Sequence, residues 1–136
     1  MAANLVFKTA DQSKNSDTTF ADDPDLLQSV VSGHAYGFQM CIRAIMASAG
    51  GGNLKVRLNA NGSGFGSVWG GAATTSIASA VTNSFPMTLT TTITVYYFFG
   101  TFVATGTGNV NLQWAQNTNV AINTTLQAGS WWLMYE

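Results

Sequence analysis

The stretch that most constrains this chain is I-T-V-Y-Y-F-F-G-T-F-V-A, from Ile93 to Ala104. In an extended conformation Ile93, Val95, Tyr97, Phe99 and Val103 line one face, and Tyr96, Phe98, Phe102 and Ala104 the other. Both faces are apolar. The run is too short for a membrane-spanning helix, which takes ~20 apolar residues. It is also too rich in β-branched and aromatic residues for a soluble one. A strand covered on both sides fits it, with one face closing a core and the other meeting another subunit. Periodicity leaves open which face does which.

Charge narrows the possibilities further. Only 8% of the residues are charged, against ~25% in an ordinary soluble protein. From Leu58 to Tyr135 there is no Asp, Glu, Lys or Arg at all. A free monomer normally keeps itself soluble with mixed surface charge; here Asn, Gln, Ser, Thr and Gly take that place. Such surfaces suit extracellular β-proteins and assembled particles, in which much of each subunit is buried. A net charge of −1 without a basic patch gives no electrostatic grip on nucleic acid. No run is long enough to cross a membrane. The opening M-A-A-N-L-V-F-K lacks a basic region followed by a long apolar stretch, so the expectation is a protein made and kept in a cytoplasm. At 136 residues the chain fits a single domain with one core. The lone Cys41 has no internal disulfide partner and reads as a small buried hydrophobe.

The remaining segments read as strands and turns. Asn4 to Lys8 is a short strand candidate, followed by the polar T-A-D-Q-S-K-N-S-D-T-T, either a solvated loop or an arm that docks on a partner. Asp22, Asp23 and Asp25 around Pro24 lack the alternate spacing and glycine of a Ca2+ loop, so a charged turn before Leu26 is expected. Leu26 to Val31 reads as a strand. From His34 to Ala47, Tyr36, Phe38, Met40, Ile42, Ala44 and Met46 share one face; Ala35, Gly37, Gln39, Cys41, Arg43 and Ile45 share the other. Glycines 50–52 then suggest a turn, with Leu54, Val56 and Leu58 returning against Lys55, Arg57 and Asn59 as the second arm of a long hairpin. Asn61 to Gly71 is glycine-dense, and its G-S-G-F-G lacks the helix and distal acid of a nucleotide loop. Thr74 to Asn83 reads as a loop or irregular edge strand. At the C-terminal end Val110, Leu112 and Trp114 alternate with Asn109, Asn111 and Gln113. Asn117 to Gly129, rich in Asn and Thr, suits a loop or a ragged edge, and Ser130 to Tyr135 is a strand apolar on both faces. About eight strands, Gly/Asn turns and no convincing helix predict two packed antiparallel sheets, a jelly roll or related β-sandwich.

Titratable groups for catalysis are scarce. His34 has no second histidine or cysteine cluster with which to hold zinc. No nucleophile-elbow pattern anchors a Ser-His-Asp set. Paired carboxylates for glycoside hydrolysis would have to come from the N-terminal quarter or the last residue. Aromatic residues with Asn and Gln could stack and bind sugars, although in a small β-sandwich they more often form core or interface. The expectation is a non-enzyme without cofactor or metal.

K-T-A-D-Q near the start, Y-G-F-Q-M-C-I-R-A, and above all L-Q-W-A-Q-N followed by A-G-S-W resemble a family of small phage structural proteins of the jelly-roll type. These are related in architecture to the TNF/C1q-like trimeric sandwiches and include head decoration and fibre components. The resemblance implies one jelly-roll domain over 1–136 that forms a homotrimer on the outer capsid surface, bridges major capsid proteins and stabilises the head as a cement. It implies a virion location, with no nucleic acid or membrane as partner. Tyr97, Phe99, Phe102, Trp114 and Trp131 are the candidate trimer interface. The N-terminal segment, about 1–25, is the candidate shell contact through Leu5, Phe7, Lys8, Asp11 and Lys14, with 26–136 forming the sandwich body. The alternative is a receptor- or glycan-binding head or tail fibre tip. Unlike the family, whose strands usually carry some charge, this chain has none between Arg57 and Glu136, which implies larger buried contacts.

Overall fold

The computed structural model describes residues 3–59, 62–70, 79–80 and 83–136, with 62–70 and 79–80 described by their backbone. Among the described residues there are twelve strands and no helix: β1 (Ala3–Phe7), β2 (Gln12–Lys14), β3 (Ala21–Val30), β4 (Ala35–Met46), β5 (Leu54–Leu58), β6 (Gly62–Gly70), β7 (Ser79–Ala80), β8 (Phe85–Met87), β9 (Thr94–Ala104), β10 (Gly108–Gln116), β11 (Thr124–Leu126) and β12 (Trp131–Tyr135). They form an eight-stranded sheet, ordered β1-β12-β4-β9-β6-β7 with β11 and β2 extending it beside β4, and a four-stranded sheet, ordered β3-β10-β5-β8. The pairings are antiparallel.

The long apolar run becomes β9, paired with β4 from Ala35↔Val103 to Ala44↔Thr94. Its even face, Tyr96, Phe98, Phe102 and Ala104, turns inward beside Tyr36, Phe38, Met40, Ile42 and Ala44 of β4. Leu26, Val30, Leu54, Val56, Leu58, Val110, Leu112 and Trp114 of the four-stranded sheet join the same cluster. One core thus lies between the two sheets, and each large apolar side chain in it contributes roughly 1.5–3 kcal/mol of burial. The buried tyrosines keep their hydroxyls bonded: Tyr36 accepts the Val31 N–H at 2.9 Å, and Tyr96 donates to the Thr88 carbonyl at 2.9 Å. Pro24 and Pro86 both lie in strands at the margins of the four-stranded sheet, where a missing N–H breaks no ladder.

Two sequence expectations are corrected, and one segment without an expectation is assigned. The hairpin of β4 and β5 does not form: β4 belongs to the eight-stranded sheet, and β5 pairs with β10 and β8 in the other. The connection from Ala47 to Asn53 is bonded to other loops and carries the chain between sheets. Ala47 N–H reaches the Asn123 carbonyl at 2.9 Å, and Thr118 N–H reaches that of Gly52 at 2.8 Å. Gly52 is required there, because the Thr118 carbonyl occupies the place of a Cβ. Second, the acidic Asp-Pro segment is no separate turn. It lies inside β3, where the register against β10 shifts between Asn111↔Leu27 and Gln113↔Asp22, a β-bulge. Asp23 holds the bulge by accepting the N–H groups of Asp25 at 3.0 Å and Leu26 at 2.9 Å. The glycine-dense segment, to which the sequence assigned no element, is strand for residues 62–70, pairing with β9; four of its nine residues are glycine, which blurs any alternation. Most of the expected irregular stretch Thr74 to Asn83 lies outside the described residues.

The polar N-terminal stretch is built into the domain. Lys8, 2% exposed, forms a 2.6 Å ion pair with the fully buried Asp23 of β3 and also donates to Gln12 at 2.9 Å. Above this pair Gln28 of β3, itself buried, accepts from the Asn4 amide at 2.7 Å and donates to the Trp132 carbonyl at 3.1 Å. These polar contacts close the seam where β1 of one sheet meets β3 of the other. The loop before β11 hangs on Gln116, whose amide donates to the Ile122 carbonyl at 2.7 Å while its oxygen accepts the Asp17 N–H at 3.0 Å.

Candidate interaction surface

Alternation that sends Phe98 inward sends Tyr97 and Phe99 out, and the register carries this across the sheet. Phe7 lies opposite Trp131, Trp131 opposite Cys41, and Cys41 opposite Tyr97. In the adjacent rank Leu5 meets Leu133, Leu133 meets Gln39, and Gln39 meets Phe99. Val103, opposite Ala35, continues the face. Four neighbouring strands, β1, β12, β4 and β9, therefore present one apolar surface to the outside. Its large side chains are well exposed: Phe7 54%, Leu5 47%, Val103 45%, Phe99 41% and Tyr97 38%. The only ionisable charge on the β4 part of this face is Arg43, half-buried, which donates to the Ala128 carbonyl at 3.2 Å. Isolated exposed hydrophobes are ordinary; a contiguous set spread over adjacent strands marks an interaction site.

The candidate residues divide accordingly. Tyr97, Phe99 and the half-buried Trp131 lie on the outer face. Phe102 and Trp114, each 2% exposed, are core residues and unavailable to a partner. Phe102 could not share a face with Phe99 on a regular strand, and it stacks on Tyr36 with ring centroids 5.5 Å apart. Of the shell-contact set, Leu5 and Phe7 lie on the same outer face as Tyr97 and Phe99. Lys8 is buried with Asp23. Asp11 accepts the Ala128 N–H at 2.7 Å, and Lys14 pairs with Asp17 at 2.9 Å. The two sets do not form two separate surfaces. Val103, Leu133 and Tyr135 belong to the outer face and were missed. Val103 shares the period of Tyr97 and Phe99, whereas Leu133 and Tyr135 needed the register of β12. The Tyr135 ring lies over Gly37, filling the space left by the missing side chain. Cys41 is buried on this side of the sheet, and burial pushes its thiol above the usual range; a protonated, covered thiol is inert.

The outer face of the four-stranded sheet has the opposite character. Asp22, Gln113 and Arg57 lie in one cross-strand rank. The Gln113 amide donates to Asp22 at 2.7 Å, and Arg57 Nε donates to the Gln113 oxygen at 2.8 Å. Phe20 lies beneath both cations of β5, with Arg57 4.2 Å and Lys55 4.9 Å from the ring centroid. At the other end of the molecule the His34 ring meets the Glu136 carboxylate, both exposed. Among the described residues no three His, Cys, Asp or Glu side chains converge as a metal site would require. The molecule thus carries an apolar face on one sheet and a charged, amide-rich face on the other. No family model and no curated protein matches the chain.

Proposed function

We infer that this chain is a structural subunit whose work is assembly: a jelly-roll domain that forms a homotrimer and decorates the outside of a phage capsid. The observation that carries this reading is the apolar outer face of the eight-stranded sheet, with Leu5, Phe7, Tyr97, Phe99 and Val103 exposed together. A standard protein contact covers roughly 800 Å2 per partner, about an eighth of the 6339 Å2 surface of this chain. Apolar burial on that scale supplies on the order of 10 kcal/mol gross at ~25 cal/mol per Å2, before the cost of association. On β1, β12, β4 and β9 the face carries a single charge, Arg43, so it meets a copy of itself with little like-charge repulsion. The virion setting rests on the resemblance of L-Q-W-A-Q-N, A-G-S-W and the other phrases to phage decoration proteins. The mechanism would be burial that ties neighbouring shell subunits together, without bond making or breaking.

The test is to add the purified protein to expanded capsids that lack it and to measure occupancy and thermal stability. Stoichiometric binding with a raised capsid melting temperature is expected. No binding, or binding without stabilisation, would refute the cement role. Tight and selective sugar binding on a glycan array would replace it with the fibre-tip alternative.

A further inference from the structure

Among the described residues most charges in this chain have a charged or hydrogen-bonding counterpart. Lys8 pairs with Asp23 and Lys14 with Asp17. Arg43 holds a backbone carbonyl, and Glu136 meets His34. Asp11, Asp22 and Asp25 accept hydrogen bonds from the Ala128 N–H, the Gln113 amide and the Thr9 N–H. Arg43, Lys55 and Arg57 are the cations with no carboxylate within ion-pair distance among the described residues, and of these Lys55 and Arg57 stand together. They sit two positions apart on one face of β5, about 7 Å along the strand. Both rest on the ring of Phe20, and Arg57 Nε is fixed by Gln113.

Two like charges side by side repel one another, and the face of an aromatic ring offsets only part of that cost. In a chain with five basic residues two stand together on this face, and the Asp22 carboxylate in the same rank reaches Arg57 only through Gln113, which leaves room for a further anion. We propose that the outer face of the four-stranded sheet binds an acidic segment of a partner protein, with Lys55 and Arg57 gripping its carboxylates and Phe20 holding both cations in place. Arg57 keeps terminal guanidinium donors for a forked contact with a carboxylate. Carboxylates fit better than a nucleic-acid backbone: the site offers only two cations, and the Asp22 carboxylate in the same rank would repel a continuous line of phosphates. The inference goes beyond self-assembly, since it concerns the opposite sheet and holds whether or not the chain forms a trimer.

The test is an amide NMR titration of the full-length protein with an octaglutamate peptide, run beside an oligothymidylate of equal length, at low and high salt. Saturable shifts at β5 and Gln113 are expected with the peptide, weakened by salt. They should fall about tenfold in affinity in Lys55→Gln/Arg57→Gln and stay unchanged in Lys14→Gln. A spectrum unperturbed away from β5 verifies that the double variant is folded. Phe20→Leu keeps both charges, and weaker peptide binding in it supports the positioning role of the ring. No saturable shifts, or equal binding by the double variant, would overturn the proposal. Tighter binding of the oligothymidylate would overturn it in favour of a nucleic-acid site.

Discussion

Lys8 and Asp23 lose their hydration on burial and recover it from one another, from Gln12 and from the two N–H groups of the β3 bulge. Removing one partner strands the other, so Asp23→Ala is predicted to cost about 3–5 kcal/mol in urea unfolding. A cost below about 1 kcal/mol would show that the ion pair does not hold the seam. Two partly exposed carboxylates give stability a pH dependence. The Thr9 N–H holds Asp25, and Lys14 holds Asp17, below the usual value of 3.8. Because the folded state favours the ionised forms, their contribution is complete above the unfolded value and is lost as pH falls through the lower folded one. The urea midpoint should therefore drop below about pH 4, and Asp25→Asn should lose part of that drop. An identical acid profile in the variant would contradict the assignment.

Within β9 the two faces make separable predictions. Phe98→Ala empties a core position that lies edge-on to Phe85, with centroids 6.0 Å apart, and should cost about 3–5 kcal/mol. Phe99→Ala, one residue on, should change the stability of the isolated subunit by less than about 0.5 kcal/mol. Thermal or urea unfolding of the dissociated protein compares them directly. Alternation made this much legible: it marks the apolar face of β5 and β10 and separates the two faces of β4 and β9, while leaving open which face of β9 is core. It could not name partners. Period 2 is blind to which strand lies alongside, so β4 and β5 looked like a hairpin although Gly52 and its neighbours route the chain to the other sheet. Gly62–Gly70 was silent because four of its nine residues are glycine, and the aspartates of β3 looked like a turn because a bulge borrows turn chemistry.

At the scale of the molecule, the sequence divides its charge between an N-terminal part and a charge-free remainder, whereas the structure divides it between faces. β1 brings Leu5 and Phe7 onto the sheet that holds Tyr97 and Phe99, while Asp22, Lys55 and Arg57 collect on the other sheet. The N-terminal strand therefore belongs to the exposed apolar face, a connection visible only once β12 is known to lie between β1 and β4. The claim that this apolar face drives assembly is tested most directly by the solution mass of the wild type and of Tyr97→Lys/Phe99→Lys at micromolar concentration. The account predicts a trimer for the wild type and a folded monomer for the variant. A monomeric wild type, or a variant that still forms the trimer, would contradict it.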